Sequence, residues 1–120
     1  MTVEIDIKQA KIHGLLSLDA LVNDFSIALK NRKYPHAPVG VIADNSPDWI
    51  ALDLATQLLG IALIPIPHFF SHEQKKHLIH SAHIYTLFAE QENIFELYGF
   101  DENNGQCHGL FINHLENYES

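Results

Sequence analysis

A single cysteine, Cys107, is all that this 120-residue chain carries, so no internal disulfide can staple the fold, and a reducing compartment suits it. Basic residues are also sparse. Seven Lys and Arg stand against fifteen Asp and Glu, for a formal net charge of −8, whereas nucleic-acid and anionic-membrane partners require clustered cations. Neither partner is expected. After Lys76 there is no Lys or Arg at all, while Glu90, Glu92, Glu96, Asp101, Glu102, Glu116 and Glu119 accumulate. The last third therefore reads as a polyanionic surface or a loosely packed tail. Long apolar runs are missing too, and none approaches the ~20 residues that span a bilayer. Glu4, Asp6, Lys8 and Lys11 interrupt the N-terminal stretch where a signal peptide would need continuous apolarity. No membrane span and a cytoplasmic location are the expectations. No Gly-rich loop ending in Lys is present to cradle nucleotide phosphates.

What the chain does have is 47% hydrophobic residues, enough for one core and too little for two. Val3 to Ile7 alternates apolar and charged residues with the period of a half-wet strand at a sheet edge. Leu18, Leu21, Val22, Phe25, Ala28 and Leu29 form an i, i+3, i+4 stripe with Ser17 as N-cap and Arg32 and Lys33 at the C-terminal end, which predicts an amphipathic helix. Two prolines between Tyr34 and Pro38 end it in a loop.

Val39 to Pro67 then runs strand, turn, helix, strand with almost no interruption. Val39–Ala43 is apolar apart from one Gly, as a strand covered on both faces should be. Ser46 and Pro47 suit the cap and first position of a helix over 47–59, and Gly60 suits its left-handed stop. Apolar residues around much of that helix, Trp49 among them, predict heavy burial. Ile61–Ile64 reads as a second buried strand, cut short by Pro65 and Pro67. Ser71 and Gln74 match the capping box of a helix reaching about Ala82, and Tyr85–Ala89 reads as a third strand. Phe95–Phe100 and Gly109–Asn113, on either side of DENNGQ, are read as the two strands of a C-terminal hairpin. The fold class is α/β: a three-layer βαβαβ unit with a mostly parallel sheet. One domain over residues 1–112 and a disordered tail over 113–120 are expected.

VGVIADNSPDWIALDLATQLLGIALIPIP and the following HFFSHEQKKHLIHSAHIYTLFAE resemble the N-terminal part of the adenylate-forming, AMP-binding superfamily of acyl- and aryl-CoA ligases, peptide-synthetase adenylation domains and luciferases. The resemblance rests on the helix start at Asn45–Trp49, the Gly60–Pro67 turn, Thr86–Glu90, and Leu16–Leu29, and it covers residues 15 to 91. It implies the scaffold portion of an ATP-dependent acid ligase that uses ATP, Mg and CoA or carrier pantetheine. The family's phosphate loop, aromatic-Gly-x-Thr-Glu segment, ribose-binding Asp and catalytic Lys have no counterpart in this sequence. Without them the chain by itself is expected to bind none of these cofactors and to have no catalytic residues. The implied partner is the remainder of the ligase polypeptide or a complementary subunit, with a homodimer as another way to cover an unfinished face. The alternative is a catalytically dead paralogue that acts as an interaction module.

Two turns leave the carboxyl edge of the expected sheet, where α/β folds collect ligands. His68, Phe69 and Phe70 are candidates to line a substrate or pantetheine channel; the alternative, which weighs more, is a packed loop whose aromatics fill the gap beneath the next helix. Asn45 and Ser46, at a helix N-terminus, can hold an anion or simply cap the helix. Among nine histidines, His77, His80 and His83 recur every third residue, but no Cys, Asp or Glu completes a tetrahedral set beside them, so no metal site is assigned. Cys107 has no His/Asp constellation near it in sequence and is not assigned as a nucleophile.

Overall fold

The computed structural model describes residues 17–100 and 105–114. Helix α1 (Ser17–Lys30) leads through a loop into β1 (Val39–Ile42), followed by α2 (Pro47–Leu59), β2 (Leu63–Pro65), α3 (His72–Ser81), β3 (Thr86–Ala89), a 3₁₀ segment (Glu92–Tyr98), β4 (Gly105–Cys107) and β5 (Leu110–His114). The five strands form one sheet in the order β2-β1-β3-β5-β4. The first three are parallel, with Val39 opposite Leu63 and Thr86, and the last two are antiparallel additions, with Phe88 opposite Ile112.

Strand alternation divides the core into two layers. Val39, Val41, Phe88, Leu110 and Ile112 pack with Leu21, Phe25 and Leu29 of α1 and Ala51, Leu52 and Ala55 of α2. Ile42, Leu87 and Ala89 pack on the other side with Ile79 of α3, Ile84, Phe95, Tyr98 and Phe100. The α/β class and its three layers follow directly from that division. At Gly40 a Cβ would lie 3.0 Å from Ile84 Cγ2 and 3.2 Å from Ile66 Cδ1, so the sheet is covered closely there and a larger residue would require those side chains to shift.

Local chemistry explains the helix ends. The Ser46 side chain accepts a bond from the Trp49 N–H at 3.1 Å, and Gly60, at φ 68°, closes α2. Ser71 and Gln74 form the reciprocal capping box of α3, at 3.1 and 2.9 Å. The left-handed residue after α3 is His83, at φ 57°, so His83 leaves the helix and does not share a face with His77 and His80.

Four expectations change. The C-terminal hairpin joins Gly105–Cys107 to Leu110–His114 through His108 and Gly109, and Phe95–Phe100 contributes no strand to it. Phe95 and Tyr98, three residues apart, are both buried on one side of the 3₁₀ segment, whose three-residue turn stacks i on i+3. Asn113 and His114 belong to β5, opposite Leu87 and Thr86, so the domain extends past 112. Strand β2 is an edge strand and only partly buried, which is why Pro65, lacking an N–H, is tolerated inside it. Finally, α2 buries one stripe only, Ala51, Leu52, Ala55 and Thr56, with Trp49 half-buried at the rim of the core. Ile50, Leu54 and Leu58, spaced by four, stand 48, 38 and 75% exposed. The strand expected at Val3–Ile7, the cap at Ser17 and the tail over 115–120 lie outside the residues whose contacts are described.

Candidate functional site

The three parallel strands end at one edge, and the turn that leaves each of them carries a ligand atom to the same place. Asp44 follows β1, His68 follows β2 and Glu90 follows β3. Their nearest donor atoms lie within 4.8 Å of one another. His68 Nε2 is 3.3 Å from Asp44 Oδ1, and the Asp44 backbone N–H donates to Glu90 Oε1, which fixes the Glu90 carboxylate against the β1 turn. All three side chains are exposed. One imidazole and two carboxylates form a mixed N/O donor set that suits a divalent ion.

Behind this cluster opens a cleft of about 390 Å³, floored by Ile42 and Ile94 and walled by His72, Lys75 and Tyr98. Helix α3 supplies His72 and Lys75, and the 3₁₀ segment supplies Tyr98. The Tyr98 hydroxyl lies 2.9 Å from His72 Nδ1. Burial raises the Tyr98 phenol above its ordinary value of 10.0, so at neutral pH it keeps its proton and can donate to Nδ1 in the tautomer that is protonated on Nε2. Lys75 is buried, at 9% exposure, and among the described residues its side chain has no hydrogen bond or ion pair.

The sequence candidates do not stay together. His68 enters the cluster, Phe69 projects into solvent at 86% exposure, and Phe70 lines a separate groove along α3 with Glu73, Gln74 and His77. Neither phenylalanine lies in the cleft of His68. The Phe69 and Phe70 rings meet edge to face at 5.4 Å. Ser46 spends its hydroxyl on the α2 cap, and Asn45 is exposed beside it. Asp44 is legible as part of the turn that leaves the carboxyl edge and Glu90 only as one of the accumulating acids, and nothing in their spacing of 46 residues announces a shared site.

Cys107 acquires neighbours that its sequence context lacks. His108 Nε2 lies 2.7 Å from Asp24 Oδ2 of α1, docking the hairpin turn on that helix, and at Gly109 a Cβ would come within 2.5 Å of Asp48 Oδ2. The Cys107 thiol is pushed from 9.0 up to about 11, first by burial and then by the negative charges of Asp24 and Asp48. A protonated thiol is a poor nucleophile, and the His108 imidazole is engaged with Asp24. This raised folded value makes the contribution of Cys107 to stability complete below pH 9.0 and progressively lost as pH climbs through about 11. Urea unfolding of wild type and Cys107→Ala as a function of pH should show the wild type falling faster across that window; parallel curves would contradict the assignment.

No family model, curated protein or solved structure matches the chain. Among the described residues no helix is long and apolar enough to cross a membrane.

Proposed function

We propose that this chain is the N-terminal scaffold portion of an ATP-dependent, adenylate-forming acid ligase, inactive by itself and completed by the segments that carry the phosphate loop and catalytic Lys. The uncovered apolar stripe on α2 is the observation that carries this reading. Ile50, Leu54 and Leu58 are exposed on the helix that the family resemblance centres on, and a row of large aliphatics facing water fits a surface awaiting another part of a larger enzyme. The parallel β2-β1-β3 order is compatible with it. So is the cytoplasmic location expected from composition.

The chemistry explains the inactivity. Adenylation develops negative charge on the oxygens around a pentavalent phosphorus and on the departing pyrophosphate, and electrostatic stabilisation of such charge is usually the largest catalytic contribution. Nothing in this sequence supplies the loop of backbone amides and Lys that would do this. The pure chain should give no ATP–pyrophosphate exchange. Co-expression with a downstream or companion segment bearing a Gly-rich, Lys-terminated loop should give a complex with exchange activity, and Leu58→Asp should prevent the complex while leaving the chain folded. Exchange by the chain alone would overturn the inactivity. A complex indifferent to Leu58→Asp would overturn the role of the stripe.

A further inference from the structure

We propose that Asp44, His68 and Glu90 form a divalent transition-metal site, zinc-like in its donors, whose open positions face the cleft so that Lys75 receives an oxyanion bound to the ion. This inference is independent of the ligase reading, because it rests on the convergence of three strand ends and on one lysine that lines the same cleft.

The geometry is close to what an ion requires. Two atoms bound to one zinc stand at most about 4.2 Å apart, twice a bond of roughly 2.1 Å, and the donor atoms here lie within 4.8 Å with no ion to draw them in. The side chains are exposed, so the rotations that close the set meet little packing. The Asp44 N–H already holds one Glu90 oxygen, leaving the other for an ion, in the way that supporting hydrogen bonds orient ligating carboxylates. Two carboxylates brought together repel each other, and a divalent cation between them reverses the sign of that interaction. Three protein ligands leave at least one position open, the arrangement of a site that binds something besides the protein.

Lys75 is the second, separate observation. Its side chain is nine-tenths buried and lines the same cleft, yet it pairs with neither carboxylate nor any other group among the described residues. The Lys75 stem is covered while its ammonium keeps contact with water, as long basic side chains do, so it can meet an anion that enters the cleft. With Asp44 and Glu90 ionised, a divalent ion together with Lys75 leaves the cleft with a net positive charge of about one, by simple addition of formal charges. An oxyanion that bridges the ion and the ammonium neutralises it.

The test is calorimetric titration of the whole chain with zinc chloride. One tight site is expected, weakened at least about tenfold by His68→Ala, Asp44→Asn or Glu90→Gln, since even supporting residues around metals cost 10–100-fold when removed. His77→Ala combined with His80→Ala should leave that site unchanged. Manganese should broaden amide resonances at the ends of β1, β2 and β3 in preference to those of α3. Acetate and sulfate are the oxyanion probes: one or both should tighten zinc binding in wild type, Lys75→Met should abolish the gain, and Lys75→Arg should retain it, with circular dichroism confirming that each variant folds. Zinc affinity that survives His68→Ala, or that disappears in the His77/His80 variant, would place the ion on surface histidines and overturn the site. Failure of both anions to tighten wild-type binding would overturn the role of Lys75.

Discussion

Phe25→Ala should lower the unfolding free energy by about 3–5 kcal/mol, the usual cost of removing a fully enclosed aromatic. Phe25 is wholly buried, meets Phe88 of the central strand edge to face at 5.8 Å, and lies 6.2 Å from the His108 ring of the hairpin turn. One side chain thus ties the first helix to the middle of the sheet and to its last hairpin. Typical domains have only about 5–15 kcal/mol in total, so the variant should melt on the order of 15 °C lower. Phe25→Leu fills most of the space and should cost about 1.5 kcal/mol or less. Chemical denaturation followed by circular dichroism measures both. A Phe25→Ala loss below about 1 kcal/mol would mean that α1 does not hold the sheet in this way.

Local signals account for the parts of the fold that were legible in advance. Capping by Ser46 and Ser71, the Gly60 stop and the stripe from Leu18 to Leu29 act within one or two turns of chain, so residue type alone specifies them. Strand order is not local. β5 enters beside β3 from 24 residues downstream, measured from Thr86 to Leu110, and displaces β3 from the edge to the centre. Apolar residues at 95, 98 and 100 suit either a strand or a tight helix, and packing of Phe95 and Tyr98 beneath α3 decided for the helix. On α2 the composition alone could not distinguish a helix buried all round from one with an uncovered apolar side.

The candidate site was legible only at the level of the sheet edge. A βαβ pattern says that ligands gather beyond the carboxyl ends of strands, and His68 was found on that basis. Asp44 and Glu90 join it because β1 lies between β2 and β3, a fact of topology. Lys75 stands out because its stem is covered and it lines the cleft, which sequence cannot show: it is one more Lys beside Lys76, yet Lys76 is exposed and Lys75 is not.

Arg32→Ala is the second large effect expected, about 2–4 kcal/mol. Sequence suggested only that Arg32 complements the dipole of α1, an effect worth roughly 0.3–1 kcal/mol. The structure gives it a larger task. Its Nε donates to the Leu29 carbonyl at 3.1 Å, closing the helix, and one terminal nitrogen donates to the Pro35 and Ala37 carbonyls at 2.8 and 2.9 Å. The guanidinium therefore holds the loop that delivers the chain from α1 into β1. Burial lowers its pKa, yet an arginine remains protonated throughout the physiological range. Alanine would leave the Pro35 and Ala37 carbonyls to find water in a region where Arg32 is only 7% exposed, while the Leu29 carbonyl keeps the backbone N–H of residue 32. Lysine keeps the charge but lacks the planar fork that reaches helix end and loop together, so Arg32→Lys should recover less than half of the loss. Amide hydrogen exchange should rise first between Asn31 and Pro38 and then in β1. If Arg32→Ala unfolds within about 0.5 kcal/mol of wild type, or if Arg32→Lys restores full stability, the charge near the helix end is what matters and the bridge from α1 to β1 is incidental.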